Sequence, residues 1–140
     1  MLATGETGFT LIETLVVVAI TALIGGLMFP RLQGVVSGQE FRTARSALIL
    51  GVRETRALAI RSGKPAEFRV ASDAQGFQVG ARPVQALPQA IALKSGGRER
   101  AITFYNDGTS NGGRLSLSGK GNRQDYIIFP TTGLIAEARQ

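Results

Sequence analysis

Phe9 to Pro30, reading FTLIETLVVVAITALIGGLMFP, constrains this chain more than any other stretch, because it is apolar almost without interruption for 22 residues. In a helix that length spans roughly 30 Å, the hydrocarbon thickness of a bilayer. The run predicts a membrane span, with the remaining mass outside it. Glu13 breaks the pattern, since a carboxylate inside such a run costs about 2.5–3.5 kcal/mol on insertion scales. Either it reaches the headgroups from near the membrane edge, or an opposite charge meets it at depth.

A short polar leader ending in Gly8, followed by Phe9-Thr10-Leu11-Ile12-Glu13 and the apolar run, resembles the N-terminus of type IV pilins and type II secretion pseudopilins. The resemblance implies that residues 1–8 are removed by a prepilin peptidase cutting between Gly8 and Phe9, and that the new amine of Phe9 is methylated. It also implies that Glu13 pairs with the N-terminal amine of an adjacent subunit during assembly. Cleavage would supply a cation at the depth where the carboxylate needs one. Because the cut precedes the apolar run, unlike that of a secretory signal, the span stays in the mature protein. The leader has no Lys or Arg, and by the positive-inside rule Arg31, Arg42 and Arg45 would place the C-terminal part in the cytoplasm. The resemblance implies the opposite, a single-pass protein of the bacterial inner membrane with its C-terminal part in the periplasm. Its motif outweighs a charge count over so short a leader.

Within the span Ala22 and Gly26 are spaced for close approach of a neighbouring helix, and Gly25-Gly26 followed by Pro30 predict a bend or a locally melted turn at Pro30. Residues 31–62 return to a helical pattern, with Phe41, Ala44, Leu48, Val52, Thr55 and Ala59 forming one stripe. Arg42, Arg45, Arg53 and Arg56 lie beside that stripe, and Glu40 and Glu54 on roughly the opposite side. Acid-to-base matching between subunits and a solvated amphipathic helix both fit this arrangement. Gly63 and Pro65 stop the helix. If the two parts are continuous, the helix from Phe9 to Ser62 is on the order of 80 Å long.

From residue 63 to 140 the period changes to two. Ala66, Phe68 and Val70, then a turn, then Phe77 and Val79 read as a hairpin. Further short strands are expected at Ala90 to Lys94, Ala101 to Tyr105, Arg114 to Ser118 and Asp125 to Phe129, with Gly133 turning the chain into Leu134-Ile135. The fold class is therefore α+β: a long N-terminal helix, membrane-spanning then amphipathic, followed by an antiparallel sheet or small sandwich. Ile102-Thr-Phe-Tyr-Asn-Asp107-Gly-Thr-Ser-Asn-Gly-Gly113, and Tyr126-Ile-Ile-Phe-Pro-Thr-Thr-Gly133-Leu-Ile after it, resemble the C-terminal part of GspH/FimT-type minor pseudopilins and pilins. That resemblance implies a structural subunit near the tip of a periplasmic type II secretion pseudopilus. Its implied partners are other minor and major pseudopilins, the prepilin peptidase, the inner-membrane assembly platform and secreted cargo.

The sequence contains neither Cys nor His, which removes thiolate chemistry and the commonest general base and metal ligand. Carboxylates such as Asp73, Asp107 and Asp125 show no catalytic spacing, so no enzyme, cofactor or metal site is expected. Asp107 and Asn111 share a loop, which reads as turn stabilisation rather than calcium ligation. All 16 basic residues lie at or after Arg31, against eight of the ten acids, so that part carries +8. The alternative reading is a minor type IV pilin that binds nucleic acid during DNA uptake. Its candidate phosphate contacts are Arg98, Arg100, Arg114, Lys120 and Arg123, with Tyr105 and Tyr126 as candidate stacking surfaces.

Overall fold

A computed structural model describes residues 10–97 and 100–138, with the side chains of residues 27–37 left undescribed. The chain divides into two compact units, Met1–Val36 and Ser37–Gln140. The helix α1 is assigned over Leu11–Ser62 and so contributes to both.

In the first unit α1 begins at a local cap. The N–H of Glu13 donates to Thr10 Oγ1 at 3.3 Å and to the Thr10 carbonyl at 3.0 Å, and Thr14 N–H reaches that carbonyl at 3.2 Å. Thr-x-x-Glu at a helix start is the sequence of a capping box. The other hydroxyls of this stretch fold back onto the helix, Thr14 Oγ1 donating to Leu11 O at 2.8 Å and Thr21 Oγ1 to Val17 O at 2.7 Å. Such bonds satisfy a hydroxyl from within its own helix. Large apolar side chains from Leu11 to Ile24 stand exposed around the whole circumference. Among the described residues no helix is long and apolar enough to cross a membrane. The apolar run itself, Phe9 to Pro30, extends past the described side chains at both ends.

In the second unit the helical stripe is buried as its spacing predicts. Ala44, Leu48, Val52, Thr55 and Ala59 are inaccessible to solvent, and Phe41 is partly buried against the same core. Thr55 is tolerated there because its Oγ1 donates to Gly51 O at 2.8 Å. Gly63 ends α1 in the left-handed region, φ +66°.

Eight strands follow: β1 Ala66–Val70, β2 Gly76–Val79, β3 Gln85–Ala86, β4 Ile91–Ser95, β5 Ala101–Phe104, β6 Gly113–Gly119, β7 Asn122–Ile128 and β8 Ile135–Glu137. They form two antiparallel sheets, ordered β3-β2-β1-β5 and β4-β6-β7-β8. The alternation Ala66-Glu-Phe-Arg-Val70 buries every second residue, and Leu115, Leu117, Tyr126 and Ile128 do the same for the second sheet. These inner faces and the α1 stripe make one core, in which Phe68 and Phe77 stack at 5.1 Å. Gly51 is buried under the Phe77 ring, leaving no room for a side chain. The strand β3 has only two residues, too few to show a period in the sequence.

Candidate functional site

The described residues offer two candidate interaction surfaces: the apolar N-terminal helix, and the outer faces and edges of the sheets. Glu13 lies in the first turn of α1, where the unpaired N–H groups and the helix dipole favour a negative charge. Part of the counter-charge for this carboxylate is therefore built into its own helix. The Thr10-x-x-Glu13 spacing carried that signal in the sequence. Gly8 and Phe9, the expected cleavage and methylation positions, lie outside the described residues, as does the side chain of Pro30. Helical backbone is assigned at position 30.

Part of each charged flank of α1 is used within the chain. Arg45 pairs with Glu137 on β8, and Glu54 with Arg82 at 3.2 Å. Arg56 Nε donates to Gly108 O at 2.9 Å. This contact ties the helix to the first of the two segments that carry the C-terminal resemblance, with Gly133 of the second close beside it. A Cβ on Gly108 (φ +85°) would fall 2.9 Å from Arg56 Nη2, and one on Gly133 (φ +60°) would meet the Gly108 carbonyl and come within 3.1 Å of Arg56 Nε. Arg56 is thus a tertiary anchor rather than a solvated flank residue. A partner 52 residues away left no local mark in the sequence.

The loop Asn106 to Gly112 is held by side chains acting on turns. Asp107 Oδ1 accepts from Thr109 N at 2.9 Å and Thr109 Oγ1 at 2.6 Å, and Asn111 Oδ1 accepts from Thr103 N at 3.0 Å. The Thr109 hydroxyl, then its N–H, hold the Asp107 carboxyl below the usual carboxylate range. These are the turn roles expected of the two residues.

Of the candidate phosphate contacts, Arg98 lies outside the described residues, and Arg100, Arg114, Lys120 and Arg123 are all exposed. Arg114 and Arg123 share a concavity with Ser116 and Asp125 on the outer face of the second sheet. Arg100 and Lys94 line a neighbouring one beside Ala71, Ser72 and Gly97. Lys120 sits in the β6–β7 turn, away from both. Asp125 is hydrogen-bonded by Ser116 and then Arg123, which lower its pKa, and the Arg123 and Arg114 charges add to this. The basic cluster therefore has an anion of its own at its centre.

Tyr126 cannot stack on a ligand, a correction to the expectation for that ring, because it is 1% exposed in the core while Tyr105 is at the surface. Its hydroxyl is buried with no well-formed hydrogen bond among the described residues, the Arg45 side chain standing beside it. Burial pushes its pKa up, with the Arg45 charge opposing and Glu137 adding to the rise.

No family profile matches the sequence. The chain is 32% identical over 134 residues to type II secretion system protein H of Xanthomonas campestris pv. campestris, a match covering 90% of this chain and 79% of that protein. In fold it is similar to the type IV minor pilin FimU of Pseudomonas aeruginosa, with a TM-score of 0.61 at 16% identity over 72% of this chain and 90% of the other. It is likewise similar to the minor pseudopilin EpsH from the type 2 secretion system of Vibrio cholerae, with a TM-score of 0.56 at 16% identity over 71% and 96% of the two chains. At those identities the two solved structures speak to fold alone.

Proposed function

Since this chain belongs to the type II secretion system protein H family, the minor pseudopilins, we propose that it is matured, anchored and assembled as that family's N-terminal pattern implies. A prepilin peptidase cuts between Gly8 and Phe9 and methylates Phe9. The apolar run, residues 9–30, holds the protein in the inner membrane as a single span, with the β unit in the periplasm. Glu13 then meets the N-terminal amine of a neighbouring subunit as the helix leaves lipid for the filament, and Pro30 supplies the bend this passage needs. The protein acts as a structural subunit near the filament tip, alongside other minor and major pseudopilins, on the inner-membrane assembly platform and in reach of secreted cargo.

The observation that carries this reading is the 32% identity across 90% of the chain. The exposed, all-round apolar surface of Leu11 to Ile24 supports it, since such a helix requires lipid or other helices around it. So does the position of Glu13 in the first helical turn, where a single added cation completes a charge balance the helix has begun. The test is expression of the full chain in a host lacking its own copy. Glu13→Ala is expected to be cleaved normally yet to be lost from sheared filaments and to abolish export. Normal incorporation of that variant would remove the assembly role of the carboxylate.

The minor type IV pilin reading has the FimU fold in its favour, and a fold shared by both filament classes does not choose between them. Export of folded proteins should fail on deletion under the first reading, whereas twitching or DNA uptake should fail under the second.

A further inference from the structure

Sheet edges expose backbone donors and acceptors, and most proteins cover them. Two of the long edges here are covered. On β4 the outward N–H groups of Ile91 and Leu93 donate to Pro88 O and Ala74 O, both at 2.8 Å. On β5 the outward groups of Thr103 bond Asn111, its carbonyl accepting from Asn111 N at 3.0 Å and its N–H donating to Asn111 Oδ1 at 3.0 Å.

The strand β8 is different. Ala138 N donates to Asp125 O at 2.8 Å and Phe129 N to Leu134 O at 3.0 Å, so in this antiparallel ladder residues 134, 136 and 138 turn their backbone groups toward β7. Ile135 and Glu137 turn theirs outward, and among the described residues nothing meets them. At the β7–β8 turn end of this edge the outer sheet face is apolar, giving way to Asp125 opposite Ala138 at the other end. Phe129 and Leu134 face each other across the β7–β8 turn, 46% and 56% exposed, next to Ile127 and exposed Ala136.

The edge also lies along the basic flank of α1. Arg45 is joined to Glu137 at one end of β8, and at the other Arg56 is bonded to Gly108 O, close beside Gly133. Eleven helical residues rise about 16 Å and four extended ones about 13 Å, so the two elements run side by side over similar lengths. Arg42 and Arg53, on the same flank, are exposed and make no ion pair among the described residues.

We propose that β8 is a docking edge, taking an extended, carboxylate-bearing segment of another protein chain as a further strand. The outward N–H and C=O groups of Ile135 and Glu137 supply the ladder, Phe129 and Leu134 receive apolar side chains of one parity, and Arg42 and Arg53 pair with carboxylates of the other. This goes beyond membership of a filament, which by itself names no surface of the β unit.

The test uses the full chain in detergent micelles with a fluorescent eight-residue peptide alternating Glu and Val. The expected result is binding by the Glu/Val peptide, none by a Lys/Val peptide of the same pattern, and loss on N-methylating alternate peptide amides. Reversing both charges in Arg42→Glu with Arg53→Glu should weaken binding about tenfold, as two partly exposed ion pairs turned repulsive would. No binding, equal binding of the Lys/Val peptide, indifference to N-methylation, or an unchanged affinity after charge reversal would each overturn the proposal. Because the chain has no cysteine, Ala136→Cys supplies a further check. A disulfide-linked homodimer of that variant would make a second copy the occupant and refute the acidic partner. Assembly defects caused by Glu13 leave every one of these readouts unchanged, so failure of the filament reading and failure of this one are distinguishable.

Discussion

Gly51→Ala should destabilise the β unit although it replaces the second-worst helix former with the best. On an exposed helix the exchange stabilises by about 1 kcal/mol. At position 51 the added methyl would run into Phe77 Cε2 and stand 3.1 and 3.2 Å from two further atoms of that ring. The ring has nowhere to go, being fully buried and stacked on Phe68 at 5.1 Å. Overpacking costs about 1–3 kcal/mol, and a ring that cannot move puts this site in the upper part, about 2–3 kcal/mol, so after the propensity gain the net loss is about 1–2 kcal/mol. For a unit of this size each kcal/mol lowers the midpoint of thermal unfolding by about 4–8 °C. Urea and thermal unfolding followed by circular dichroism would measure it, with Gly38→Ala as the control, since a Cβ there meets nothing within 4 Å. Phe77→Leu should relieve the clash, so the double variant should be more stable than the sum of the single effects. A neutral or stabilising Gly51→Ala, or strict additivity with Phe77→Leu, would show that the helix is not seated on Phe77 as described.

Arg56→Ala removes a charged donor from a partly buried carbonyl and should cost about 1.5–3 kcal/mol, measured by the same unfolding curves; Arg56→Lys, lacking the fork geometry, should recover only part of it. Tyr126 keeps its proton in the folded state longer than in the unfolded state, so the folded state binds more protons above the ordinary tyrosine pKa, and stability should fall as pH rises through about 10. Tyr126→Phe should lose that part of the alkaline decline, and an identical profile for the two proteins would place the hydroxyl in water. Binding of double-stranded DNA across a salt series should stay weak at physiological salt, because Asp125 stands between Arg114 and Arg123. Tight binding that falls steeply with salt and is lost on replacing Arg100 and Arg114 would favour the DNA-uptake reading. Gly8→Ala should block maturation, which an unshortened product on a gel would show; a normally shortened product places the cut elsewhere.

How much of this was legible in the sequence follows from the range of each interaction. The helical stripe from Ala44 to Ala59, its stop at Gly63 and the alternation of β1 are local patterns, and the structure places them where the spacing does. The expected strand near Asp125 begins earlier, at Asn122, because the β6–β7 pairing runs on through Ser118↔Arg123 to Gly119↔Asn122, a register that only the partner strand reveals. Tyr126 shows the same limit on the functional side. Alternation puts it on one face of β7, and only the helix beneath decides that this face is inside. Arg45, Glu54 and Arg56 read as surface charges in isolation, and their partners Glu137, Arg82 and Gly108 lie 92, 28 and 52 residues away.

The anchoring of Arg56 changes what the C-terminal resemblance means. Asn106 to Gly113 and Thr131 to Leu134 look like recognition loops, being rich in Gly, Asn and Thr and bounded by strands. In the structure their glycines make room for one another and for a guanidinium, with Gly133 against the Gly108 carbonyl and both against Arg56. Residues that hold a loop against a helix are constrained by the fold, whichever filament the protein joins. The segments that identify the family are thus poor places to look for what distinguishes one filament from another. That distinction must lie on surfaces the fold leaves open, and the outward groups of β8 with the apolar pair Phe129 and Leu134 beside them are such a surface.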